Sequence, residues 1–155
     1  MQPTVFDRLS TWLTQQNISF DVLRHEAVFT SEDAARVRGT SLASGAKALI
    51  CKADENFVMF VLPADRRLDS KRVRREHGIK SLRFASREEV FTLTGLAPGS
   101  IPPFGSLFQL ATWCDEQLRE QPRINFNAGD HGISISLNIT DYLQAAQPRL
   151  AHVAE

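Results

Sequence analysis

Gly45-Ala-Lys-Ala-Leu-Ile-Cys-Lys-Ala-Asp-Glu-Asn-Phe-Val-Met-Phe-Val-Leu62 is the stretch that sets the architecture. Ala46 to Lys52 and Phe57 to Leu62 are apolar runs of strand length. Asp54-Glu55-Asn56 between them is turn chemistry. Neither run alternates with polar residues, so both faces are apolar and the hairpin is predicted to lie centrally in a covered sheet. Lys47 interrupts that pattern. An unpaired ammonium in a covered strand is too costly to bury. Lys47 must therefore reach solvent at a sheet edge or end at a cavity.

Outward from the hairpin, helices are interspersed with strands. Val5, Leu9, Trp12 and Leu13 share one face of a helix from Pro3 to about Gln16, with Pro3 in its first turn. Ile18 to Leu23 reads as a short strand. Thr30-Ser-Glu-Asp33 opens a second helix that Gly39 ends. Asp69 or Ser70 starts a short basic helix that stops at Gly78, and a short strand is expected within Ile79 to Phe84. Ser86-Arg-Glu-Glu89 is a capping box for a helix closed by Gly95. Ser106 to Trp113, Arg123 to Asn127 and Gly132 to Asn138 read as strands, the last two joined by Ala-Gly-Asp-His. Thr140 or Asp141 caps a final helix through Ala146, and the tail after Pro148 is expected to fray. Hairpins without regular crossovers predict an α+β fold: one domain over residues 1–155 on a mixed, largely antiparallel sheet.

The chain of 155 residues is 43% hydrophobic and 23% charged, ordinary values for a globular protein with a sizeable core. No apolar run reaches transmembrane length, and the N-terminus lacks the basic start and apolar core of a signal peptide. Cys51 and Cys114 lack metal-ligand spacing and read as the free thiols of a cytoplasmic protein. The formal net charge is zero, but Arg66 to Arg87 carries nine basic residues against Asp69 and Glu76. Arg72 and Arg75, or Lys71, Arg74 and Arg75, fall there on one helical face at spacings of three and four. Such a block suits an anionic partner or is a solvated helix face.

Gly95-Leu-Ala-Pro-Gly-Ser-Ile-Pro-Pro-Phe-Gly105 holds three of the eight glycines and three of the seven prolines. It is a loop of preset shape. The N–H groups of Gly99, Ser100, Ile101, Phe104 and Gly105 can be aimed at a ligand; a rigid connector is the alternative.

Lys47 in Gly-Ala-Lys-Ala-Leu-Ile, the Gly99-Ser-Ile-Pro-Pro103 segment with Phe104-Gly105, and Asn127-Ala-Gly-Asp130 follow one another in an order that resembles the YbaK/prolyl-tRNA synthetase editing-domain family. The resemblance runs from about Phe20 to Tyr142. It implies a mixed sheet curled like a partial barrel and flanked by helices. It implies a hydrolase that removes a small amino acid (Ala, Ser, Thr or Cys) from mischarged tRNA, tRNA(Pro) or a related one, without cofactor or metal. Lys47 is then the residue on which activity depends most. The loop from Gly99 to Pro103, with Phe104 and Gly105, holds the aminoacyl-adenosine end, and the terminal ribose hydroxyl helps the attack. Phe29 and Thr30 correspond to a position near the pocket, Thr30 reading equally as a helix N-cap, and Asn127 and Asp130 either touch substrate or fix the hairpin turn. The expected partners are tRNA, held by Lys71, Arg72, Arg74 and Arg75, and an aminoacyl-tRNA synthetase. Some alanine-specific members carry asparagine directly after the lysine, where this chain has Ala48. A non-catalytic tRNA- or synthetase-binding module of the same fold is the alternative.

Other residues carry weaker signals. His25 and His131 are candidates for the pocket wall. Ser134 and Ser136 lack a nucleophile-elbow context and would offer a polar face to a seryl or threonyl group. Asp115 and Glu116 read as surface or helix-capping acids.

Overall fold

The computed structural model describes residues 2–155. The hairpin forms as the sequence predicts. Strand β2, Ala46–Ala53, pairs antiparallel with β3, Asn56–Pro63, from Ala46 opposite Pro63 to Ala53 opposite Asn56. That register leaves Asp54 and Glu55 as the turn. Asp54 Oδ1 accepts the N–H groups of Lys80 and Ser81, which ties the turn to the chain after the basic helix. β3 is buried on both faces. Met59 and Val61 enter the larger core, while Val58, Phe60 and Leu62 enter a second one.

Around this hairpin the chain runs α1 Val5–Gln15, β1 Asp21–Arg24, α2 Ser31–Arg38, β2, β3, α3 Ser70–His77, β4 Leu82–Phe84, α4 Arg87–Thr94, β5 Ala111–Asp115, β6 Arg123–Asn127, β7 Ile133–Asn138, α5 Ile139–Ala146 and β8 Arg149–Ala151. The strands form two sheets. One has the order β4-β2-β3-β5-β8, and the other β1-β7-β6. Only the β3–β5 and β5–β8 pairings are parallel. A single bridge between Gly45 and Asn125 joins the sheets. The fold is thus α+β and largely antiparallel, with two sheets that are not closed into a barrel.

Local signals account for most helix ends. Thr4 and Asp7 form a capping box before α1, so Pro3 precedes the helix instead of lying in its first turn. Thr30 caps α2, Asp69 caps α3, and the Ser86–Glu89 box opens α4. α1 buries Leu9 and Leu13, and α3 buries Val73 against the second core.

Three expectations fail. Ser106 to Trp113 is not one strand: Gly105–Phe108 is a 3-10 turn, and the strand starts at Ala111. Apolar content there reflects burial of Phe108 and Leu110, not strand geometry. α5 begins at Ile139 after its cap Asn138, two or three residues before the expected cap at Thr140 or Asp141. The tail does not fray. β8 pairs with β5, and Val153 and Ala154 are buried.

Asp115 holds that tail. It is fully buried, not a surface acid. Its Oδ1 accepts the N–H groups of Val153 and Ala154, and its Oδ2 accepts that of Gln117. Removing the carboxylate leaves two buried donors unsatisfied, at about 1–3 kcal/mol each. Asp115→Ala is expected to lose ~2–4 kcal/mol in urea unfolding. A loss below about 0.5 kcal/mol, the scale of an ordinary surface substitution, would return Asp115 to the surface class.

Candidate active site

A cavity of about 130 Å³ opens where α2, the start of β2 and the loop at Gly99 meet. Lys47, the second residue of β2, lines it. Ala46, Ala48 and Ile50 belong to the larger core, and Leu49 and Cys51 to the second, so alternation places Lys47 on the side of Leu49 and Cys51. Burial pushes the Lys47 ammonium below its ordinary value. Asp65 and Glu32 partly offset this, and Arg67 adds to it.

Gly99, Ile101, Phe29, Thr30 and Asn127 share the cavity wall with Lys47. Six predicted site residues do not. Ser100, Pro102, Pro103, Phe104 and Gly105 are buried behind the wall. Phe104 packs edge-on against Trp12, Phe126 and Tyr142, so it is a core residue. The Tyr142 hydroxyl donates to the Pro103 carbonyl at 2.7 Å. The Ser100 hydroxyl donates to the Ala97 carbonyl. Asp130 accepts the Gly132 N–H at 2.7 Å and only shapes its own turn.

The loop uses most of its own donors. The N–H groups of Ser100, Phe104 and Gly105 go to Ala97, Pro102 and Thr112. Among the described residues, those of Gly99 and Ile101 have no acceptor. Both residues line the cavity. The turn after β6 grips the loop from outside. Gly129 N–H donates to the Ser100 carbonyl, and Asn127 Nδ2 donates to the Gly99 carbonyl at 2.7 Å. His131 lies 3.3 Å from the Pro98 carbonyl through Nε2 and stacks on Phe29, with ring centroids 4.7 Å apart. Phe29 itself is 77% exposed at the cavity's rim. His25 sits behind the wall, its Nε2 on the Ser134 hydroxyl.

Sequence reasoning missed Arg38. It is the last residue of α2 and lines the cavity. Its Nε donates to Ser134 Oγ at 2.8 Å and its Nη2 to Asn127 Oδ1 at 2.9 Å. Burial lowers its guanidinium to about 10. In sequence it reads as a favourable last-turn cation of a helix, and nothing local separates it from Arg36, which pairs with Glu26 at the surface. Ser134 and Ser136 do not line the cavity; they are engaged by Arg38 and Arg123. The wall's hydroxyls come from Thr30, Ser31 and Ser41.

The basic helix lies apart from the cavity wall. Lys71, Arg74 and Arg75 are exposed, whereas Arg72 is paired with Glu76 at 3.0 Å. Among the described residues, no group of His, Cys, Asp and Glu is placed to hold a metal ion, and no helix is long and apolar enough to cross a membrane.

Lys47 and two residues whose backbone N–H groups have no acceptor among the described residues thus line one small cavity. The family model of the aminoacyl-tRNA editing domain matches residues 25–145, and the chain belongs to that family. The multifunctional Ser/Thr-tRNA deacylase ProXp-y of Escherichia coli K12 is 39% identical over 150 residues, covering 94% of this chain and 90% of that protein. The proline--tRNA ligase of Shouchella clausii is 33% identical over 103 residues, covering 66% of this chain and 18% of the ligase. A crystal structure described as a candidate trans-editing enzyme for prolyl tRNA synthetase superposes with a TM-score of 0.85 over 100% of this chain and 99% of that one, at 24% identity.

Gly99 adopts φ +90°, and a Cβ there would meet His131 Nε2 at 3.4 Å. A side chain at this φ costs roughly 1–2 kcal/mol. Gly99→Val is expected to lower the melting temperature by no more than that strain implies, while ester hydrolysis falls more than about tenfold. Parallel collapse of both would make the loop a connector only.

Proposed function

We propose that this chain is a freestanding trans-editing hydrolase that deacylates tRNA mischarged with a small amino acid, serine or threonine first, and that residues 1–155 act as one editing unit. The observation that carries this reading is the meeting of Lys47 with the free N–H groups of Gly99 and Ile101 in one cavity. The similarity to a Ser/Thr-tRNA deacylase supports the substrate class. An aminoacyl ester is already activated, so positioning and oxyanion stabilisation suffice. Backbone donors held by a loop with three prolines need no reorganisation. The terminal ribose hydroxyl helps water attack the carbonyl, and Lys47 supplies charge to the oxygen that becomes negative.

Selectivity follows from size and wall chemistry. A cavity of about 130 Å³ admits a short side chain and rejects an aromatic one. Thr30, Ser31 and Ser41 offer hydroxyls to a seryl or threonyl group. Ala48 fills the position after the lysine with no polar atom.

The deciding experiment is ester hydrolysis on a panel of charged tRNAs. Seryl and threonyl esters are expected to turn over fastest, and phenylalanyl or tyrosyl esters to stay intact. Binding without turnover of any ester would leave a tRNA- or synthetase-binding module. Lys47→Ala is expected to abolish turnover with the melting transition retained, because a half-buried cavity lysine contributes charge and little packing. A folded variant with the wild-type rate would remove Lys47 from the mechanism.

The exposed face of α3 is the proposed contact for the tRNA backbone. With Arg72 held by Glu76 and Arg74 donating to the Lys80 carbonyl at 3.0 Å, the free cations of this helix are Lys71 and Arg75. Their joint replacement by alanine is expected to weaken tRNA binding and flatten its dependence on log salt by about one to two units. Hydrolysis of a minimal aminoacyl-adenosine ester should be unaffected. A wild-type salt slope in the double variant would make α3 a solvated face.

A further inference from the structure

We infer that Arg38 is the positioning residue of this site: through the Asn127 amide it sets the backbone of the Gly99 loop, and so the two free N–H groups that face the cavity. The chain of contacts is short and directional. Arg38 Nη2 donates to Asn127 Oδ1 at 2.9 Å, and Asn127 Nδ2 donates to the Gly99 carbonyl at 2.7 Å. A guanidinium only donates and a carbonyl only accepts, so the amide between them has one orientation. Without Arg38 that amide loses the contact that fixes it. Gly99, at φ +90°, makes no other hydrogen bond of its own among the described residues, although its neighbours are held separately, the Ser100 carbonyl by Gly129 and the Pro98 carbonyl by His131.

The other side of Arg38 is fixed as well. Nε donates to Ser134 Oγ at 2.8 Å, and the same hydroxyl lies 2.8 Å from His25 Nε2. A hydroxyl that accepts from Arg38 can donate to His25, whose Nδ1 then donates to the Glu26 carbonyl at 2.7 Å. The guanidinium thus spans two strands, β7 through Ser134 and β6 through Asn127, from the end of α2. It has no carboxylate partner within 4.0 Å among the described residues. A cation in this place is not a structural ion pair. Its planar fork is what the two acceptors require, and a lysine ammonium on a flexible stem cannot reproduce it.

The role rests on the deacylase reading for its kinetic consequence but not for its structural one, and the test separates the two. Arg38→Lys, Asn127→Ala and the double variant are compared by hydrogen exchange at the bonded loop amides of Ser100, Phe104 and Gly105, by melting temperature, and by kcat and KM on seryl-tRNA. In each single variant the loop amides should exchange about tenfold faster or more, with the melting temperature near wild type. The same variants should lose kcat by about 10- to 100-fold with KM changed less than about threefold. The double variant should be no worse than the poorer single one, because both residues act through the same bond to Gly99. Full kcat in Arg38→Lys, additive losses, unchanged loop exchange, or faster exchange spread over the whole chain would each overturn the inference. Should Arg38→Lys fail to fold, Asn127→Ala alone carries the exchange test. If wild-type protein hydrolyses no charged tRNA, the deacylase reading falls, and the exchange comparison still decides the relay.

Discussion

Gly45 is where the two sheets touch, and it lines the cavity. Its backbone bridges Asn125 of β6, and its carbonyl accepts the Ala64 N–H at 2.8 Å. A Cβ at this position would come within 2.9 Å of Ala64 Cβ and 3.2 Å of the Leu42 carbonyl oxygen. Glycine is therefore what the close approach of Ala64, just past β3, and of the preceding turn requires here. The buried bond from Asn125 Nδ2 to Ser44 Oγ, 3.0 Å long, fastens the same point. Among the described residues no other bridge joins the two sheets. Lys47 stands two residues past the contact, and Asn127 two residues past its partner. The spacing of one glycine contact therefore brings the lysine and the loop clamp to one cavity.

The loop is built as part of the core. Pro102, Pro103 and Phe104 are buried, and Phe104 is ringed by Trp12, Phe126 and Tyr142. Each aromatic contact of this kind adds about 0.5–1.5 kcal/mol beyond burial. The Tyr142 hydroxyl donates to the Pro103 carbonyl and the Gly129 N–H to the Ser100 carbonyl. Proline supplies rigidity by removing donors as well as by fixing φ. The result is a segment whose interior is satisfied and whose cavity face keeps two N–H groups free.

The sequence carried the periodic and local parts of this arrangement. The hairpin, the capping of α2, α3 and α4, and the family resemblance all rest on contiguous residues, and all agree with the structure or the comparisons. What it did not carry depends on residues far apart in the chain. Asp115 reads as a surface or helix-capping acid: the cap on Gln117 is local and is there, whereas its burial depends on two donors nearly forty positions on, at Val153 and Ala154. Val153 and Ala154 are too few to register as a core element, so the tail reads as frayed. Phe104 and Ser100 read as loop residues facing a ligand because a motif gives order, not side-chain direction. Arg38 was invisible for the same reason: its acceptors, Ser134 and Asn127, come from strands roughly ninety residues downstream.

The cavity joins two cations, Lys47 and Arg38, and no carboxylate is among its lining residues. Burial lowers the affinity of both for their protons, so the arrangement costs stability in the empty protein. Such an imbalance persists only where the surrounding structure over-determines it, as the contact at Gly45 and the buried loop do here. On the proposed reading the imbalance has a use. A neutral ester carbonyl gains little from nearby positive charge, while a tetrahedral oxyanion gains much, so the interaction grows along the reaction coordinate. A unit charge about 4 Å away contributes roughly 4 kcal/mol at the effective dielectric near a protein surface. Expressed in the transition state alone, that is close to a thousandfold in rate. An ester already activated toward water needs little more than this and correct placement. A cation-lined cavity with rigid backbone donors can then suffice without a nucleophilic side chain.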